Sequence, residues 1–132
     1  MNAPSASLSF GEYLVARGLL PQIDLEKAER TRKDGGLSLC AALKRNAAIK
    51  SGDLVKALSE YYAVPAIEED EWPKHAIHVD AITHTFLRES RVFPLAETED
   101  GIVLAMEDPS DSYAISAVEL ALRRPVIVRV AS

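Results

Sequence analysis

A helix-hairpin pattern occurs twice in this chain, twenty-nine positions apart from Ser9 to Ser38, and it limits the possible folds more than any other feature. The first copy runs Ser9-Phe10-Gly11-Glu12-Tyr13-Leu14 through Leu20 to Asp24-Leu25-Glu26-Lys27-Ala28. The second runs Ser38-Leu39-Cys40-Ala41-Ala42-Leu43 through Ile49 to Asp53-Leu54-Val55-Lys56-Ala57. Ser, Leu, Asp, Leu, Lys and Ala coincide at this one offset, and Leu20 meets Ile49. A repeat of this length is one supersecondary unit used again. Two copies are too few for a solenoid, so the pattern predicts a paired-hairpin module followed by a different domain.

Within each copy the helix signals are local. Ser9 and Glu12 have capping-box spacing, in which each side chain satisfies the other's backbone N–H. Phe10, Leu14 and Val15 follow as an apolar stripe. Gly18 is placed to end that helix in the left-handed conformation. Ile23, Leu25 and Ala28 line a second helix that Asp34-Gly35-Gly36 stops. In the second copy a helix from Ser38 is expected to end at Asn46 as the left-handed residue. Ser51 then caps a fourth helix, with Leu54, Leu58 and Tyr61 on one side.

The periodicity changes at Val64-Pro65. Residues 63–73 read as a linker containing a short strand at 63–67. Its acidic run, Glu68-Glu69-Asp70-Glu71, is expected to stay solvated, and Trp72 to anchor the two modules. Residues 79–90 look helical, with Ile82, Phe86 and Leu87 inward. Val92–Ala96 and Ile102–Met106 read as strands around a turn at Glu99-Asp100-Gly101, where Asp-Gly is the hairpin signal. Asp111 or Ser110 caps a helix striped by Ala114, Ile115, Val118 and Leu122, and Val126–Val130 is a last strand. The fold class is α+β: a four-helix paired-hairpin module, then a small β-α-β-β-α-β domain in the split-βαβ order. The division expected is a flexible tail over 1–8, the helical module over 9–62, the linker over 63–73 and the small α/β domain over 74–132.

Composition excludes several functions. The net charge of −5 argues against a nucleic-acid binder, whose affinity comes from neutralising phosphates, and so against a stand-alone helix-turn-helix protein. The lone Cys40 forms no internal disulfide, suits a reducing compartment, and reads as a small buried helix residue. No stretch approaches the about 18 apolar residues of a membrane span, and Met1–Ser7 lack signal-peptide features. The expectation is a cytosolic protein without direct membrane insertion. His75, His78 and His84 lack the shared face and further ligands of a metal site, so no metal is expected. Asp108-Pro109-Ser110-Asp111 lacks a partnering base and reads as a helix-capping turn.

Two strings carry a resemblance. Val103-Leu104-Ala105-Met106-Glu107-Asp108-Pro109-Ser110-Asp111, with Arg91-Val92-Phe93-Pro94-Leu95 before it, resembles a signature in the N-terminal region of type II secretion and type IV pilus assembly ATPases. The paired hairpins resemble the helical module upstream of that signature, so the resemblance spans about residues 8–131. It implies a non-catalytic module that docks a homo-hexameric motor onto the cytoplasmic domain of an inner-membrane secretion protein (GspL-like). The chain would then be peripheral to the inner membrane. ATP, and in most relatives zinc, belong by this resemblance to a C-terminal motor. Neither a Gly-x-x-x-x-Gly-Lys-Ser/Thr loop nor a second cysteine occurs here, so the chain itself is expected to bind no cofactor and to be no enzyme.

In some relatives the paired hairpins bind cyclic di-GMP, each opening with Arg-Leu-Gly. Here the openings are Ser9-Phe10-Gly11 and Ser38-Leu39-Cys40, so both arginines and one glycine are missing. A lost arginine removes a bidentate partner for phosphate or guanine. If this alternative holds, the ligand residues are Phe10, Gly11, Leu14, Leu39 and Leu43. For docking, the candidates are the mixed charges of the hairpins' outer faces, Glu12, Arg17, Glu26 and Arg30.

Overall fold

The structure, a computed structural model, describes residues 8–73 and 82–131. The chain divides into two compact units, Met1–Ala57 and Leu58–Ser132.

The first unit holds the repeat. Its helices are α1 (Phe10–Ala16), α2 (Gln22–Gly35), α3 (Leu39–Arg45) and the start of α4 (Ser51–Tyr62), which runs across the division. α2 packs on α1 and on α3. The two copies share their capping chemistry. The Ser9 hydroxyl accepts from the Glu12 N–H, and the Ser38 hydroxyl accepts from the Ala41 N–H. At the other end, Gly18 N–H donates to the Val15 carbonyl and Leu19 N–H to the Leu14 carbonyl. Twenty-nine positions on, Ala47 donates to Lys44 and Ala48 to Leu43. Leu14 and Leu43 are buried at equivalent positions, with Leu20, Leu25, Ala28, Cys40 and Leu54.

The left-handed residue of the second copy is therefore Ala47, with φ +52°, and Asn46 remains right-handed. The position is set by the repeat, since Ala47 aligns with Gly18 at φ +73°. Alanine is strained there because its Cβ crowds the carbonyl. Ala47→Gly should therefore stabilise the protein by about 1 kcal/mol, read as an upward shift of the denaturation midpoint. Ala48→Gly, one residue outside the left-handed position, should give no such gain.

The second unit is a three-stranded sheet in the order β1-β2-β3, formed by Val92–Thr98, Gly101–Met106 and Val126–Val130. β1 and β2 are antiparallel, and β2 and β3 are parallel across α6 (Ser112–Leu122). Asp111 caps α6, accepting from the Ala114 N–H at 3.0 Å. One sheet face packs Val92, Leu104 and Met106 with Ala114 and Val118 of α6, joined by Ile82 and by Phe86 and Leu87 of α5 (His84–Ser90). The other face packs Leu95, Val103, Ala105 and Ala131 with Ile67 and Ile127. Every residue of β2 is buried, as a strand covered on both faces requires.

Three sequence expectations change here. The strand expected at 63–67 is a single parallel bridge, Ala66 to Val130, made by Ile67 N–H to Val130 O and Val130 N–H to Pro65 O. Pro65 has no N–H to extend a ladder, and Ala63 turns the chain with φ +56°. The expected helix over 79–90 begins at His84, capped by Thr83, with residues 79–81 outside the described residues. The hairpin turn is Glu99-Asp100, and Gly101 is already in β2 opposite Thr98. Neither turn residue has positive φ, so this is not the type I′ turn that Asp-Gly signals.

Candidate partner-docking surface

α2 presents a polar face. Asp24, Lys27, Thr31 and Asp34 recur at helical spacing, and with Arg30 they line a cleft of about 620 Å³. Its other wall is Asn46, Ala47 and Ala48, just past α3. The wall is fixed to α2: Asn46 Nδ2 donates to Thr31 Oγ1 at 3.1 Å, and the Thr31 hydroxyl lies 3.0 Å from the Lys27 carbonyl. Two cations and two carboxylates share this rim, and its lining contains no His or Cys. Such a cleft suits recognition of a polar segment of mixed charge.

The four expected docking residues are all exposed, but they do different work. Arg30 lines the cleft. Arg17 caps α1, and its guanidinium lies 5.8 Å from the Tyr13 ring centroid, within cation–π range. Glu26 accepts from Gln22 Nε2 at 3.3 Å. Glu12 closes the capping box, accepting from the Ser9 N–H at 2.9 Å. The Ser9 backbone amide, helped by the Ser9 hydroxyl, holds its carboxyl below the usual carboxylate range. Only Arg30 belongs to the cleft; Asp24, Lys27, Asp34 and Asn46 were missed by the sequence reading. The polar periodicity of α2 was the signal for the first three.

The alternative ligand set sits elsewhere. Phe10, Gly11, Leu14 and Leu43 are buried, and Leu39 is half-buried. A Cβ on Gly11 would come within 2.7 Å of Leu25 Cδ1 and 3.4 Å of Leu39 Cδ2. Side chains of the unit's own core therefore already cover the glycine.

In the second unit, the acidic run is not simply a solvated linker. Glu68 and Glu71 form a capping box around a short 3-10 turn, Glu69–Glu71. Glu71 then pairs with Arg129 of β3 at 3.0 Å, while the next residue, Trp72, packs on Phe93 of β1 with ring centroids 5.9 Å apart. Phe93, Ala105 and Arg129 occupy one row of the sheet, so residues 71 and 72 hold the two outer strands on either side of small, buried Ala105. Ala105 is the alanine of the Ala-Met signature.

The Glu68 backbone amide, followed by Arg129, holds the Glu71 carboxyl below its ordinary value of 4.5 against opposing desolvation. A carboxylate with a depressed folded-state pKa stabilises the fold above the unfolded value, and that stability is lost as pH falls through the folded one. Glu71→Gln should therefore lower the melting temperature at pH 7. As pH falls below the ordinary value and through the depressed folded-state one, the gap to the parent should close, because both then carry a neutral side chain. A gap independent of pH would assign Glu71 a purely steric role.

His84 is exposed at the start of α5, and His75 and His78 lie outside the described residues. Among the described residues, no group of three or more His, Cys, Asp or Glu is placed to hold a metal. No helix among them is long and apolar enough to cross a membrane.

A family model described as the MshEN domain matches residues 62–132. The chain is 28% identical over 134 residues to type II secretion system protein E of Xanthomonas campestris pv. campestris, covering 98% of this chain and 24% of that protein. It is 28% identical over 105 residues to the type IV pilus assembly ATPase PilB of Myxococcus xanthus, covering 80% and 19%. The chain thus spans about a quarter or less of the length of these curated relatives. Among solved structures, the N-terminal domain of XpsE superposes with a TM-score of 0.80 at 26% identity, covering 98% of this chain and 90% of that one. A structure of MshE with cdg superposes with a TM-score of 0.70 at 22% identity, covering 94% and 90%, a likeness of fold alone.

Proposed function

Because this chain belongs to the MshEN domain family and is homologous to the N-terminal domains of type II secretion protein E and PilB ATPases, we propose that it is the docking module of such an ATPase. In this reading it tethers a homo-hexameric motor to the cytoplasmic domain of an inner-membrane secretion protein of the GspL type. The protein works at the cytoplasmic face of the inner membrane and reaches it only through that partner. ATP, and zinc where present, act in the motor. The observation that carries the proposal is the likeness to the XpsE N-terminal domain over 98% of the chain.

The docking surface is the cleft along α2, with Arg30 on its rim, and the exposed Arg17, Glu26 and Glu12 outside the cleft are further candidates. A mixed-charge surface of this kind suits a polar interface of moderate affinity. Arg30→Glu should weaken binding of the purified partner domain by about tenfold, the scale of one lost interfacial charge contact. Its melting temperature should stay within a few degrees of the parent, since exposed substitutions change stability by roughly 0.5 kcal/mol or less. Unchanged affinity in calorimetry for both Arg30→Glu and Lys27→Glu would remove the cleft from the interface.

The second reading, a cyclic di-GMP sensor, is favoured by the fold shared with MshE, whose structure was solved with cdg. The burial of Phe10, Leu14 and Leu43, and the covering of Gly11 by Leu25 and Leu39, weigh against it. Titration of the whole chain with cyclic di-GMP should give no heat at micromolar concentrations. A micromolar dissociation constant would replace the docking reading with the sensing one.

A further inference from the structure

α6 carries large apolar side chains on both sides. Its inner side buries Ala114 and Val118 against the sheet. Its outer side exposes Tyr113 and Leu120, at 79% and 83%, the most exposed large hydrophobics among the described residues. Between them lie Ser116 and Ala117, followed by exposed Ala121. The only charged residue within the helix, Glu119, accepts from the Val126 N–H at 3.0 Å and so serves the start of β3. Two large apolar side chains grouped on one exposed helix face mark a contact surface.

We propose that this face pairs with the same face of a second copy of the chain, as an antiparallel helix pair about a two-fold axis at Ser116 and Ala117. Self-complementarity of charge specifies the occupant. A two-fold axis at that point sets Tyr113 at the level of Leu120 of the second copy, and Leu120 at the level of its Tyr113. Small residues at the crossing let two helix axes approach to about 8 Å. Asp108 and Asp111 lie at the N-terminal end of the helix, and exposed Arg123 lies just past its C-terminal end. The antiparallel arrangement brings Arg123 of each copy to the level of residue 110 of the other, between the two carboxylates. It also opposes the two helix dipoles. A basic or acidic partner would match one end of this face and repel at the other. One helix buries less than the about 800 Å² per partner of a standard interface, so the pair belongs to the weak, reversible class. The inference rests on α6 and does not depend on what the first unit binds.

Sedimentation velocity on the whole chain over rising concentration tests it, together with cysteine capture. The parent should shift reversibly from monomer to dimer. Leu120→Arg should weaken association by about tenfold or more, the scale of losing a central apolar anchor. Arg123→Asp should weaken it less, with a smaller dependence on salt. Ala117→Cys should cross-link into a dimer under mild oxidation, because the axis brings the two thiols together, while exposed Ser51→Cys should not. A chain that stays monomeric to millimolar concentration with no capture at position 117 overturns the proposal. So does a dimer that Leu120→Arg leaves intact.

Discussion

Gly101→Ala should unfold the second unit under conditions in which the parent is fully folded. Gly101 has φ +147°, a backbone conformation closed to residues with a Cβ, and a Cβ placed there would lie 2.3 Å from the Pro125 carbonyl oxygen. That oxygen cannot move away, because it accepts the Ile102 N–H at 2.9 Å where β3 joins the sheet. The loss should be about 4 kcal/mol, combining backbone strain with a steric contact against main chain. For a unit of this size it corresponds to a fall in melting temperature of roughly 20 °C. Gly52→Ala is the control. Nothing lies within 4 Å of a Cβ there, and the residue is in the first turn of α4. It should raise stability by about 0.5–1 kcal/mol. Equal effects of the two substitutions in a denaturation series would mean that the approach of Pro125 is not what requires the glycine.

Leu104→Ala should be nearly as damaging. Leu104 is fully buried at the centre of β2 and packs with Val92, Met106, Ala114 and Val118, residues from both strands and from α6. Truncation removes its transfer free energy and leaves a cavity that a sheet bonded on both sides cannot collapse, a cost of about 3–5 kcal/mol. Leu104→Met, which keeps the volume, should cost under about 1.5 kcal/mol. Hydrogen exchange should show the loss in β1, β2 and β3. A loss confined to α6 would mean that the sheet does not depend on this residue.

The parts of the fold that were legible in sequence are those governed by neighbours. Ser9 with Glu12, Ser38, and Asp111 act within a few residues, and each caps the helix it precedes. The offset between the hairpins is visible again as matching hydrogen bonds after Leu14 and Leu43. Of the misread positions, Ala47 answers to the repeat and the others to distant residues. Ala47 takes a conformation that alanine disfavours because the turn inherited from the repeat holds it there. Gly101 is required by Pro125 and not by its own turn. Glu71 looked solvated because its partner, Arg129, lies 58 positions away. The cleft was only half legible: the polar spacing of α2 is local, but Asn46 reaches it through the pairing of two helices.

Binding of the purified cytoplasmic domain of a GspL-type protein to the whole chain, followed by calorimetry with and without cyclic di-GMP, tests the docking assignment most directly. A saturable one-to-one complex of moderate affinity is expected, weakened by Arg30→Glu and unchanged by the nucleotide. No complex with the partner domain, together with saturable binding of cyclic di-GMP alone, would contradict it.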